Sequence, residues 1–424
     1  MKKIFSLVSL FAAIALATSC SSECNCGDSC TCDQYCTCTK CKHNQGTNNG
    51  NVTPVPGNSY GIPDDSQAGV APTIASGESN TNIPNIQTSI TGDGNSALMT
   101  INMTGVLDPS TSEWVALAGT GQNGQNVWVT VDDKPKSIVV YNNDGDDGEA
   151  VLADIVFTVD NSGSMSEEAD AIARDIVNWA QLLSQSGLSV KFGVVGYGDN
   201  AYGVDGALNM TDAAALDNYL SSRGNSGTRR TYGFAGPDAA RLTGLALSEN
   251  NGYYNGAYNE CGAVAIRFAD REFDFRQGAN RIYVNFTDES NQPGGYTDFS
   301  TEFFKNQENW RPAQGTIHTV FSEDTLSYYQ STEQMNFFEK PWRMSWYTGG
   351  TFLTAPRNFQ GVSLQSLPVT GAMQHSYIIR FTNISEFMDG QMHKVLMTIC
   401  TPDGHVKAVK EFWVTFGGQT PEDN

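Results

Sequence analysis

The sequence predicts a doubly wound α/β unit set between two groups of β-strands that together form a sandwich. Three observations predict it. Between 151 and 356, near-continuous apolar runs alternate with helical patterns, the signature of a parallel sheet covered on both faces. On either side, at 96–141 and 376–416, shorter runs alternate polar and apolar residues in the strand manner. Gly, Asp and Pro separate these outer runs.

In the central region the first strand is Ala153 to Val159, and a helix follows from Glu167 to Leu183. Ile172, Ile176, Trp179 and Leu183 share one face of that helix at three- and four-residue steps. Gly187 stops it. Val190 to Gly196 is a buried strand, Thr211-Asp212 caps a helix ending near Ser222, and Ala263 to Ala269 forms a third helix. Arg281–Phe286 and Thr316–Phe321 are further apolar strands, while Arg223 to Tyr258, rich in Gly, Asn and Tyr, reads as an enlarged loop. The flanking strands are Ser96–Met103, Asn126–Val131 and Ser137–Tyr141 before the unit, and Ser376–Thr382, His393–Cys400 and Glu411–Phe416 after it. Two separate small β modules are the alternative to one divided sandwich.

Ahead of these lies an export region. Lys2 and Lys3, the apolar run Ile4–Ala17 and the small residues Thr18-Ser19 form a signal peptide over 1–19. Cys20 directly after them resembles the lipobox of bacterial lipoproteins, which implies that Cys20 becomes the lipidated N-terminus of a protein held at the outer membrane. Leu16 departs from that pattern by one position, and a plain secretory signal is the alternative. No other apolar run approaches the ~20 residues that span a bilayer, so membrane attachment would rest on lipid alone. The head from 20 to 42 then carries seven cysteines between Cys24 and Cys41, with almost nothing apolar among them. Disulfides, a thiolate metal cluster and a variably oxidised spacer are the open readings. Residues 43–95, rich in Asn, Gly, Thr, Ser and Pro, read as a flexible linker. Cys261 and Cys400 are isolated and expected to be free thiols.

With 39% hydrophobic residues the chain can bury a substantial core. Its 46 acidic against 25 basic residues, a formal charge of -21, argue against binding nucleic acid and in favour of attracting cations. Asp160-Asn161-Ser162-Gly163-Ser164 sets a carboxylate and two hydroxyls at alternate positions just where the first strand ends. Thr287-Asp288-Glu289 leaves the strand Arg281–Phe286 in the same way. In a doubly wound sheet ligands bind beyond the carboxyl ends of the strands. Hard oxygens of this kind suit Mg2+, with Ca2+ or Mn2+ as alternatives. A turn followed by a helix cap is the competing reading of the pentapeptide.

Asp160-x-Ser162-x-Ser164 followed by Met165, together with Asp288 and Thr348-Gly349-Gly350, resembles the metal-ion-dependent adhesion site of von Willebrand factor type A (VWA) domains. The likeness covers 151–356. Where that family has a middle-loop Thr, Asn259-Glu260-Cys261-Gly262 is similar to the Glu version of integrin β subunits, which implies the metal ligands Asp160, Ser162, Ser164, Glu260 and Asp288. Thr228 is the competitor of Glu260. The resemblance further implies that a protein ligand offers an Asp or Glu carboxylate to the cation, and that the flanking strands form an immunoglobulin-like sandwich carrying the unit in a loop. Glu167 and Glu168 match acidic ligands of a neighbouring integrin β cation, but read as a solvated first helical turn. Asp144, Asp146, Asp147 and Glu149 read as a charged hinge.

The function expected is that of a cell-surface lipoprotein acting in adhesion or surface assembly, and not an enzyme. A metal-dependent hydrolase is one rival. None of the five His residues falls in the metal loops, however, and the α/β unit has no Gly-x-Ser-x-Gly elbow between a strand and a helix and no phosphate loop. A metal-sequestering protein led by the Cys-rich head is the other.

Overall fold

Alternating apolar residues build the strands β1 (Ile86–Thr91), β2 (Leu98–Met103), β3 (Val127–Val131) and β5 (Val139–Asn142), while the turn at Asp132-Asp133 brings β4 (Lys134–Lys136) back against β3. The computed structural model describes residues 61–83, 85–142, 151–198, 203–222, 231–247, 253–254, 260–322, 339–359 and 362–417. Cys20, the Cys-rich head, Thr228 and the acidic stretch 144–149 lie outside them.

The central unit contains β6 (Leu152–Asp160), helix α1 (Ala169–Ser184), β7 (Ser189–Tyr197), β8 (Gly206–Thr211), α2 (Ala213–Ser221), β9 (Gly233–Ala235), α3 (Ala239–Leu247) and α4 (Gly262–Glu272). It continues through β10 (Asn280–Thr287), β11 (Thr316–Ser322), α5 (Arg343–Thr348) and β12 (Phe352–Ala355). Helix α6 (Pro368–Gln374), β13 (Tyr377–Phe381), β14 (Met392–Cys400) and β15 (Lys407–Thr415) complete the chain.

The strands form one seven-stranded sheet, in the order β12-β11-β10-β6-β7-β8-β9, and two four-stranded sheets, β1-β2-β13-β5 and β15-β14-β3-β4. In the large sheet every pairing is parallel except that of β7 with β8. Side-chain alternation divides its strands between two cores. Ile155, Phe157 and Val159 meet α1 and α2 on one face, and Val156, Val195 and Tyr283 meet α3, α4 and α5 on the other. Ile172, Ile176, Trp179 and Leu183 of α1 are fully or almost fully buried, each contributing ~1.5–3 kcal/mol by removal from water. The four-stranded sheets share a third core, in which Met99, Ile101, Val127, Val129, Ile379, Phe381, Val395, Met397 and Phe412 interdigitate.

β5 and β13 are antiparallel neighbours, with Tyr141 opposite Ile378. The chain therefore enters and leaves the α/β unit at adjacent strands of one small sheet. Asn102 Nδ2 of β2 donates to the Gly278 carbonyl (2.7 Å), and Gln87 Nε2 of β1 donates to the Ala313 carbonyl. Gly278 and Ala313 precede β10 and β11, so the small sheet packs at the amino ends of the parallel strands. Their carboxyl ends point away from it.

Three local expectations need correcting. Residues 61–95 are not a tether throughout: Ile62, Ala68, Ile83 and Ile86 are buried, Asp65 pairs with Lys136 at 3.0 Å, and β1 joins β2 over six residue pairs. These apolar residues are too widely spaced to produce a periodic signal. The stretch read as one enlarged loop carries β9 and α3, and Gly206–Thr211 is a strand between β7 and β9 that runs into the helix Asp212 caps through Ala215 N–H (2.9 Å). Glu168 is also not solvated. It is 2% exposed, because a short 3-10 turn at Gly163–Ser166 delays the start of α1 and rotates Glu168 inward.

Candidate functional site

β6 and β10 lie side by side in parallel, Val159 opposite Phe286, so Asp160 and Thr287 leave the sheet at the same level. Thr287 Oγ1 donates to Asp160 Oδ2 (2.8 Å), and the Ser162 N–H donates to Asp160 Oδ1 (2.8 Å). Ser162 Oγ lies 3.1 Å from Ser164 Oγ, and Ser164 Oγ donates to Asp288 Oδ1 (2.9 Å). A continuous chain of hydrogen bonds thus joins four of the expected ligands, Asp160, Ser162, Ser164 and Asp288, across two loops far apart in sequence.

Glu260 comes in on a third loop, held by the loop that follows Asp288. Gln292 Nε2 donates to Glu260 Oε2 (2.7 Å), and the Gln292 N–H donates to the Glu260 carbonyl (3.2 Å). Asn291 Oδ1 caps α4 by accepting from the Ala263 N–H (3.0 Å) and the Cys261 thiol (3.2 Å). Below them Asn285 Oδ1 accepts from Thr158 Oγ1 (2.8 Å) and Tyr197 OH (3.0 Å). A Cβ on Gly262 would stand 2.8 Å from that same Oδ1, so only glycine lets the Glu260 loop descend onto the sheet.

Burial raises the carboxyls here. It lifts Asp160 well above the usual range, helped by Asp288. It also lifts Asp288 itself and Glu260, the latter again with help from Asp288. Glu168 and Glu289 are each pushed up to about 7 by burial, with added repulsion from Asp288 on both and from Glu260 on Glu289. Glu168 Oε2 has no hydrogen-bond partner among the described residues. Crowded, partly desolvated carboxylates facing two hydroxyls are a donor set for a hard divalent cation, which would relieve the repulsion that burial alone leaves in place. Among the described residues, no three Asp, Glu, His or Cys side chains close on one point as a metal cage. Any cation here would therefore depend on the serine hydroxyls.

Sequence reasoning missed Gln292, Glu289 and Thr231. Thr231 Oγ1 donates to Asn161 Oδ1 on the flank of the first loop, and no motif marks it. Glu289 was visible only as the neighbour of Asp288.

No family model matches this sequence, and no curated protein matches it. Among solved structures, the pilus adhesin SpaC of Lactobacillus rhamnosus GG in its open conformation is similar at 10% identity with a TM-score of 0.31, over 78% of this chain and 55% of that one. A second form of SpaC gives 12% and 0.30 over 78% and 56%. Proximal thread matrix protein 1 from the mussel byssus gives 12% and 0.29 over 53% and 48%. This chain spans little more than half the length of the SpaC chains it matches. Likeness at this level carries no weight for fold or function, which rest on the geometry above. Among the described residues no helix is long and apolar enough to cross a membrane.

Proposed function

We propose that residues 151–356 are a VWA-type domain, carried in a loop of an immunoglobulin-like sandwich, that binds a protein ligand through Mg2+, Ca2+ or Mn2+ in adhesion or surface assembly. The observation that carries this reading is the hydrogen-bond chain Thr287–Asp160–Ser162–Ser164–Asp288 at the carboxyl ends of two adjacent parallel strands. Asp160, Ser162, Ser164, Glu260 and Asp288 would hold the cation. When bound, the ion would offer an acceptor position to an Asp or Glu of the partner. Thr287 and Gln292 keep Asp160 and Glu260 oriented, and Asn285 with Gly262 fixes the depth of the third loop. The small sheet packs at the opposite strand ends and so does not cover the site, which suits binding to a large partner.

The same reading has the protein exported and lipid-anchored at Cys20, on the bacterial outer membrane. Two experiments test it. Neighbouring surface proteins should be retained on the immobilised protein with Mg2+ present, and lost with a chelator or with Asp160→Ala; retention that ignores both contradicts the proposal. Lipid labelling in cells that survives Cys20→Ser would remove the anchor from it.

A further inference from the structure

His393, near the start of β14, has an acid on each side of its ring. Its Nδ1 lies 2.7 Å from Asp132 Oδ2, in the turn between β3 and β4, and its Nε2 lies 2.9 Å from Asp389 Oδ1, in the loop before β14. Backbone donors aim both carboxylates. The Lys394 N–H donates to Asp132 Oδ1 (3.0 Å), and the Gln391 N–H donates to Asp389 Oδ1 (2.8 Å). Phe387 and Phe416 pack edge-on against the imidazole, with ring centroids 5.2 and 5.6 Å away, and its side chain is 12% exposed.

A carboxylate only accepts, so each ring nitrogen must carry a proton for both bonds to form. The bridging ring is therefore an imidazolium. Burial opposes its charge, but the bonds to Asp132 and Asp389 outweigh burial and hold His393 above its ordinary value of 6.5. The same bonds, with the backbone donors, hold both acids low. The other charges facing this corner are paired among themselves. Lys394 meets Asp133 at 3.0 Å and feels Glu411 of β15. Lys134 pairs with Glu386, and Lys136, which like Lys134 lies over the Phe387 ring, pairs with Asp65 at 3.0 Å.

We propose that His393 is a pH-operated clamp on the sandwich: as imidazolium it ties the β3–β4 turn to the loop before β14, and on giving its Nε2 proton to water it keeps Asp132 and releases Asp389. The neutral ring would turn an Nε2 lone pair toward Asp389 Oδ1, which repels it. Both Asp132 oxygens are engaged, whereas one Asp389 oxygen serves both of its donors. Asp389 is also the more exposed of the two acids, and Gly390 after it has φ 78°. The folded chain holds this proton more tightly than the unfolded chain does. The stability it contributes is thus complete below 6.5 and is lost as pH rises through the folded-state midpoint. The clamp stands independently of the cation site.

The test follows the full chain by NMR from about pH 5 to 9, where histidines titrate, with the five histidine rings and the backbone amides labelled, and with urea midpoints alongside. His393 should titrate above 6.5, and the Gln391 amide should shift at the same midpoint while the Lys394 amide moves less. Asp389→Asn, an exposed change, should lower the His393 midpoint, because an amide can donate to the neutral Nε2. The advantage of wild type over Asp389→Asn in urea should shrink as pH rises through the wild-type His393 midpoint. A His393 that titrates at or below 6.5, or whose midpoint ignores Asp389→Asn, overturns the clamp. A Lys394 amide that moves in place of Gln391 overturns release at Asp389.

Discussion

Ser164 Oγ donates to Asp288 Oδ1 at 2.9 Å, joining the loop that leaves β6 to the loop that leaves β10. This bond is the short bridge between two halves of the site that 124 residues separate. Asp288 is buried and raised by its burial. Ser164→Ala should weaken Mg2+ binding about tenfold or more, through the lost ligand and the lost bridge to Asp288, while costing the fold only ~1 kcal/mol. Calorimetry and urea unfolding of the same variant separate the two effects.

Gly262→Ala should act through Asn285. The added methyl meets Asn285 Oδ1 at 2.8 Å and Nδ2 at 2.9 Å, and Asn285 cannot retreat without abandoning Thr158 and Tyr197. The expected cost is ~1–3 kcal/mol of overpacking, read as a lower thermal midpoint. A parallel loss of cation affinity is expected as Glu260 is lifted away.

At the other end of β6, Asp154 is fully buried and answered by Arg276, whose Nε donates to Oδ1 (2.8 Å) and whose backbone N–H donates to Oδ2 (2.7 Å). Arg276 also donates to the Ala153 and Ser189 carbonyls (2.8 and 2.9 Å). Arg276→Ala should destabilise by ~3–5 kcal/mol, because it leaves a buried carboxylate unpaired. Asp154→Asn should cost less, and both should leave cation affinity unchanged in the folded protein.

His318 on β11 predicts a pH dependence. Burial lowers it to about 4; its Nδ1 accepts from the Thr351 N–H (3.1 Å), and its Nε2 has no partner among the described residues. The folded state thus resists protonation that the unfolded chain accepts near its ordinary value of 6.5. Stability contributed by neutral His318 is complete above that value and is lost as pH falls toward about 4, by up to ~3 kcal/mol. Urea midpoints from pH 7 to 4 should fall more steeply in wild type than in His318→Gln.

Much of the architecture was legible because it follows period. The continuous runs at 153–159, 190–196, 281–286 and 316–321 are strands buried on both faces, and the Ile172–Leu183 stripe is the buried face of α1. Asp160, Ser162, Ser164 and Asp288 were readable for a related reason, since each follows a buried strand at its carboxyl end. What stayed hidden depends on contacts without period. Ile62 and Ile83 are buried one at a time, β9 is three residues long, and the inward turn of Glu168 comes from a 3-10 step that composition does not encode. Gln292 is placed by loop closure and carries no motif.

Titration of the full chain with Mg2+ and Mn2+ by calorimetry, alongside Asp160→Ala and Glu260→Ala, tests the central claim most directly. One site is expected in wild type, abolished by Asp160→Ala and weakened by Glu260→Ala. Unchanged affinity in Asp160→Ala, or no site in wild type, would contradict the account.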